Sequence, residues 1–199
     1  MSIRAIAHST VLLLALSLNV AWAQSFEEGI AAYNRGDYQT AYEVFRALAE
    51  GDDAGAQSML GLMYDNGEGV PQDSSRAAQW YRAAAEQGEE YAQLNLGFMY
   101  GNGEGIPQDF SKASRWFRAA AEQGNAKAQF NLGLMYAKGD GVLQNNITAH
   151  MWFNIASANG HQKAREVRSG MADLMSRDAI AEAQSRARTC MESNYQDCN

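Results

Sequence analysis

Apolar positions in the middle of the chain recur at helical spacing and then break off at a cluster of glycines. Ala92, Leu96 and Tyr100 fall four residues apart, which puts them on one helical face. Gly97, beside Leu96, removes a side chain where a second helix must come close. The run Gly101-Asn102-Gly103-Glu104-Gly105-Ile106-Pro107 is predicted to interrupt the helix, because glycine tolerates positive φ and Pro107 has no amide donor. Asp109 suits an N-cap, so a second helix is expected from about Asp109 to Gln123. Its buried stripe would be Ala113, Trp116, Phe117 and Ala120, and Gly124 would end it. Such a hairpin leaves an apolar stripe wet unless a neighbour covers it.

The neighbour is a copy of the hairpin. AQSMLGLMYDNGEGVPQD, AQLNLGFMYGNGEGIPQD and AQFNLGLMYAKGDGVLQN stand 36 residues apart, and the register holds for Leu60, Leu96 and Leu132, for Tyr64, Tyr100 and Tyr136, and for Trp80, Trp116 and Trp152. A fixed period of this size predicts a stacked array that offers an extended concave surface to a partner. The flanks continue the pattern. Phe26 to Asp52 carries Tyr33, Gly36-Asp37-Tyr38, Ala41 and Phe45 as a hairpin with a shorter turn. Beyond Gly160, Ala164 stays in phase with Ala56, Ala92 and Ala128; a helix from about His161 to Met175 follows, and Ser176 caps a last one holding Ile180, Ala183 and Ala187. Five hairpins and ten helices are expected.

These segments resemble the Sel-1-like repeat, a relative of the tetratricopeptide repeat: Leu-Gly-x-x-Tyr, a Gly-x-Gly-Val turn with a following Asp, then Lys/Arg-Ala-x-x-Trp and Ala-Ala-x-x-Gly. Ala54 to Gly88 and Glu90 to Gly124 follow the pattern closely, while Ala126 to Gly160 departs at Leu143, Asn145 and Thr148-Ala149-His150. The resemblance implies an all-α, right-handed α-solenoid of stacked helical hairpins. The expected organisation is a signal peptide at 1–23, a tetratricopeptide-like N-terminal hairpin at 24–53, repeats at 54–89, 90–125 and 126–160, and capping helices with a tail at 161–199.

The signal peptide rests on Arg4, the short apolar run Thr10 to Val20, and the small residues of Ala21-Trp22-Ala23, which predict cleavage before Gln24. A periplasmic or secreted location follows, with no membrane insertion after removal. Formal net charge is −7, and one unit more negative once Arg4 is lost. That balance opposes nucleic-acid binding, which needs concentrated Lys and Arg. Cys190 and Cys198 are the only cysteines, and an oxidising compartment favours their pairing. Eight residues of continuous helix would hold them about 12 Å apart, so a disulfide requires the chain to turn back near Asn194.

Enzymatic chemistry finds little support. Some cysteine-rich members of the resembled family have been described as β-lactamase-like or penicillin-binding, but this chain lacks their within-repeat cysteines, Ser-x-x-Lys and Lys-Thr-Gly. The glycine-rich turns lack the strand and Lys of a phosphate loop and the ligand spacing of a calcium loop. His150 and His161 are not at zinc-ligand spacing with the cysteines, and no cofactor is expected. His150 reads as a surface histidine. Asn146-Ile147-Thr148 fits a glycosylation sequon, read as chance in a bacterial chain.

Comparison with tetratricopeptide repeats selects a concave face. Positions two before and two after the helix Leu face it, giving Leu94, Phe98, Phe130 and Leu134, with Tyr91, Asn95, Asn102, Lys127, Asn131 and Lys138 nearby. These would form a mixed apolar and hydrogen-bonding groove for a protein or an extended peptide. The leading expectation is an exported interaction scaffold; the alternatives are a cell-wall-directed or β-lactam-binding protein and a structural subunit of an envelope complex.

Overall fold

The computed structural model describes residues 25–198, so the predicted leader at 1–23 lies outside the described residues. Those described residues form ten helices and no strand. They are α1 (25–34), α2 (Tyr38–Glu50), α3 (Ala54–Asn66), α4 (Ser74–Glu86), α5 (Glu90–Asn102), α6 (Phe110–Ala121), α7 (Ala126–Lys138), α8 (Asn146–Ala158), α9 (Gln162–Ala172) and α10 (Arg177–Glu192). The chain divides into two compact units, one up to Trp80 and one from Tyr81 onward.

Helix boundaries follow from short polar side chains. Asp53, Glu89 and Asn125 accept hydrogen bonds from the amides of Ala56, Ala92 and Ala128, while Asp109 and Asn145 do the same for α6 and α8. Each satisfies a donor the helix cannot, worth about 1 kcal/mol. Ser176 caps α10, as expected, and the Nδ1 of His161 caps α9. The first helix of the middle repeat runs further than its sequence suggested. Gly101 and Asn102 remain helical, and the chain leaves the helix only at Gly103, whose φ of 74° sets the left-handed cap.

Hairpins close by an aromatic ring on a bare backbone. In the second unit, a Cβ added to Gly97 would lie 2.8 Å from the Phe117 ring, and one on Gly133 would lie 2.7 Å from Phe153. In the first unit, Gly29 faces Phe45 at 2.6 Å in the same sense. The core of that unit gathers Ala32, Ala41, Phe45, Leu48, Leu60 and Met63.

Three of the four residues expected in the buried stripe of α6 are buried, and Trp116 is the exception. Phe117 is buried and Trp116 only half-buried; Ala113 and Ala120 are fully buried as expected. Phe117 sits opposite Gly97, and the neighbouring Trp is turned some 100° around the helix. Trp152 alone of the three repeat tryptophans is fully buried, in a helix packed by α10.

Successive hairpins are joined by a buried amide. Gln93 and Gln129 donate from Nε2 to the carbonyls of Ala85 and Ala121, at 3.2 and 3.0 Å. Each occupies a carbonyl at the end of the preceding helix. Gln123 adds bonds to the Gly88 carbonyl at 2.9 Å and the Gln93 amide at 2.8 Å. Asn159 repeats the second contact, to Gln129 Oε1 at 2.9 Å.

Cys190 and Cys198 are bonded, with Cα atoms 4.4 Å apart. The chain reverses through Asn194 and Tyr195, both at positive φ. This reversal sets Tyr195 against Gly124 and lets its hydroxyl bond Asn159.

Two stability outcomes follow. Phe117→Ala should cost about 3 to 5 kcal/mol by opening a core cavity, whereas Trp116→Ala should cost clearly less because Trp116 is only partly buried; comparable midpoint shifts in denaturant melts would contradict the assigned register. Reduction of the disulfide should lower stability by at most about 2.5 kcal/mol, the chain-entropy value for a loop this short. Hydrogen exchange should then rise first in 190–198, and exchange that rises equally across α5 to α8 would contradict a local role.

Candidate functional site

A cleft of about 210 Å³ opens between α5, α6 and α7 within the second unit. Phe98, Ala113, Phe117, Leu134 and Met135 supply its apolar lining, and Asn102, Asn131, Lys138 and Asp140 its polar groups. Phe98 meets Phe117 edge to face at 5.0 Å between centroids, so one wall is a fixed aromatic pair. Lys138 and Asn102 are exposed, while Asn131 and Leu134 are partly covered.

Five of the ten residues selected from the sequence therefore line one cleft: Phe98, Asn102, Asn131, Leu134 and Lys138. The other five take different places. Leu94 is 4% exposed, so it is a packing residue and not an open groove position as expected. It is among the buried residues of α5, with its neighbour Gln93. Tyr91 is 44% exposed, and its ring meets Tyr81 edge-on. Asn95 donates from Nδ2 to the Tyr91 carbonyl at 2.9 Å. Asn131 does the same to the carbonyl of Lys127, at 2.8 Å. Each amide thus has one donor tied to its own helix, which fixes the side chain and leaves the amide oxygen to receive a bond from elsewhere. Phe130 stacks on His161 at 4.3 Å and leans on Phe153, which ties it to the following hairpin. Lys127 is exposed.

Three lining residues, Phe110, Met135 and Asp140, escaped the sequence reading. Phe110 opens α6, is 40% exposed and borders the cleft. A signal for it existed: Ser74 and Asn146 hold the corresponding places in the flanking repeats, so an aromatic ring there breaks the period. Asp140 arrives on the turn after α7. Gly141 follows it at a φ of 69°, and a Cβ there would collide with the Phe110 carbonyl, so the turn can press directly on the start of α6. Ser111 Oγ also reaches the Gly141 carbonyl.

His150 is a correction. Expected at the surface, it is 2% exposed, and its slot in the preceding repeats holds Ala78 and Ser114, both buried as well. Its Nδ1 has no hydrogen-bond partner among the described residues. Burial, and secondarily the Arg168 charge, pulls its pKa below the usual 6.5. Burial does the same for His161, helped by Lys163 and Lys127. No group of three or more His, Cys, Asp and Glu suited to a metal ion occurs among the described residues, and none of their helices is long and apolar enough to cross a membrane.

The repeat pattern and this geometry agree with known proteins. The sequence profile of the Sel1 repeat matches residues 54–89, 90–125 and 126–161, and the chain belongs to the Sel1 repeat family. A solved Sel1 repeat protein from Oxalobacter formigenes is 36% identical, with a TM-score of 0.67 over 70% of this chain and 56% of that one. A protective antigen present in uropathogenic Escherichia coli strains, displaying an SLR fold, is 26% identical, with a TM-score of 0.59 over 88% of this chain and 49% of that one. This chain thus spans about half the length of the structures it matches. The fold class is the all-α solenoid of stacked hairpins that these relatives share. No curated protein sequence matches the chain. Sel1 repeat proteins generally mediate protein–protein interaction.

The depressed histidine pKa values predict a pH-dependent stability. The unfolded chain takes up these protons more readily than the folded one, so stability is full above about pH 6.5 and falls as pH drops through the folded-state values of His150 and His161. Tm should fall between pH 7.5 and 5.0, and by less in His150→Gln. Equal falls in parent and variant would remove His150 from the account.

Proposed function

We propose that the protein is an exported, non-enzymatic interaction scaffold that holds an extended segment of a protein partner in the α5–α6–α7 cleft. The observation that carries this reading is the composition of that cleft: the Phe98–Phe117 pair, Phe110, Ala113, Leu134 and Met135 form its apolar lining, while Asn102, Asn131, Lys138 and Asp140 stand around it. An apolar side chain of a peptide would supply buried area there, and amides and charges would meet its backbone. Helices position every polar group except Asp140, which limits the ordering cost on binding. Family membership supports the interaction role, and the leader predicted at 1–23 together with the bonded cysteines supports export to the periplasm or beyond.

Asn102 and Lys138 are exposed, so they can be changed without touching the core. The Asn102→Ala, Lys138→Glu double variant should weaken capture of the natural partner at least tenfold, or about 1.4 kcal/mol, with an unchanged Tm. A photo-cross-linking residue at position 102 in cells should trap that partner, whereas one at Asp178 on α10 should not. Equal capture by parent and double variant would move the interaction elsewhere. Turnover of peptidoglycan or a β-lactam by the purified protein would show an enzyme instead.

A further inference from the structure

A second cleft in the same unit shares no residue with the first. Arg82, Glu86, Tyr100, Lys112, Arg115, Trp116 and Ala119 line it. Helix α6 therefore serves both clefts, giving Phe110, Ala113 and Phe117 to one and Lys112, Arg115, Trp116 and Ala119 to the other. In a chain of net charge −7, three cations converging on an open cleft call for an explanation.

Part of the arrangement is structural. Arg82 donates to the Tyr100 hydroxyl at 2.9 Å with its guanidinium 5.9 Å from the ring centroid, and Arg118 and Tyr136 form the same pair in the next repeat. Lys112 shares the Tyr100 ring, its Nζ 5.3 Å from the centroid, as Arg76 stands over Tyr64 in the preceding repeat; Arg115 is not explained that way. Lys112 and Arg115 correspond to Arg76 and Gln79 in the preceding repeat and to Thr148 and Met151 in the following one, so only the middle repeat has a cation at both places. In the following repeat, α10 packs on α8, and Met151, Trp152 and Ile155 are fully buried. In the middle repeat the equivalent Trp116 is half-buried and Arg115 is exposed, with no ion pair or hydrogen bond among the described residues.

We infer that this cleft is a binding subsite for a peptide carboxylate whose neighbouring side chain is apolar or aromatic. The charge count favours one negative unit. Lys112 bonds Asp109 at 3.3 Å, and Glu86 stands in the lining without an ion pair among the described residues, so three cations against two carboxylates leave a single positive charge to be met. A dianionic phosphate would overfill it. A guanidinium fork matches the two coplanar oxygens of a carboxylate, and the Trp116 face beside Ala119 gives the apolar group a surface to lie on. The carboxylate comes from an acidic side chain or from a chain terminus, which the probes separate.

The test uses the mature chain labelled with ¹⁵N and follows the Trp116 indole resonance, assigned with Trp116→Phe. N-acetyl-alanyl-phenylalanine presents a terminal carboxylate, N-acetyl-glutamyl-phenylalaninamide a side-chain one, and N-acetyl-alanyl-phenylalaninamide none. At least one of the first two should shift the resonance saturably, and whichever binds more tightly names the source; the third should not shift it. Arg115→Gln should weaken the binding at least fivefold with Tm unchanged, and Lys112→Gln should act in the same direction. The proposal is overturned if the uncharged peptide binds equally, if Arg115→Gln leaves affinity intact, or if no probe saturates. It is also overturned if phenyl phosphate or N-acetylmuramic acid binds more tightly than both carboxylate peptides, since the site would then belong to a phosphate or a glycan.

Discussion

The contact on which the fold depends is an aromatic ring laid on a glycine of the partner helix. Phe117 on Gly97, Phe153 on Gly133 and Phe45 on Gly29 all place ring carbons where a Cβ would have to be. That approach brings the two backbones of a hairpin together at a distance set by ring thickness and not by interdigitated side chains. An alanine at the glycine would force the ring aside, and close-packed interiors give little room for that. Gly97 and Gly133 lie in the helix interior, where glycine is costly by about 0.5–1 kcal/mol relative to alanine. The packing of a buried ring, worth several times that amount, offsets the cost.

Once the hairpin spacing is set, the joints between hairpins become predictable. The helix that carries the glycine also carries a buried Gln four residues earlier, and its amide reaches a carbonyl at the end of the preceding helix. That carbonyl lies beyond the reach of an i+4 amide and accepts a turn bond at 3.0 Å, Ala85 from the Gly88 N–H and Ala121 from the Gly124 N–H, which leaves one lone pair for a second donor. The long Gln side chain fills space and adds a second bond to the same oxygen, tying the two helices together. At the C-terminal end the same joint is completed from outside the repeat: Asn159 bonds Gln129 and also Tyr195, and Tyr195 is held in place by the turn that the Cys190–Cys198 bridge closes.

Much of this was legible in the sequence because a repeat reports its own environment three times. Helix number, caps and the close approach at Gly97 followed from recurring residues. The errors have a common physical origin, which is that periodicity locates a face without fixing its rotation. Trp116 and Phe117 are adjacent, and a bulky aromatic at either could serve as the core residue; only the position of the facing glycine decides for Phe117. Leu94 was assigned to an open face by analogy with another repeat type, yet it is buried. The slot of His150, held elsewhere by Ala78 and Ser114 beside the buried stripe, suggests a surface position, yet all three are buried, because the stripe is wider than its largest side chains indicate. Gly101 looked like a helix breaker from composition, but helices tolerate glycine and end where φ turns positive, at Gly103.

The same logic separates packing from function along a repeat. Positions that keep their identity from copy to copy, such as the Leu, Gly and Tyr series, are accounted for by burial, by the ring-on-glycine contacts and by the Arg–Tyr pairs. Residues that break the period need another reason. Phe110 replaces polar side chains and stands exposed at one cleft, and Arg115 replaces neutral ones and stands exposed at another. Neither improves the core, and an exposed aromatic ring or an unneutralised guanidinium gains little in stability where it stands. Both lie on α6, on faces turned away from each other, so one helix held rigidly by Phe117 can present an apolar contact on one side and a cationic one on the other without either disturbing the packing between them.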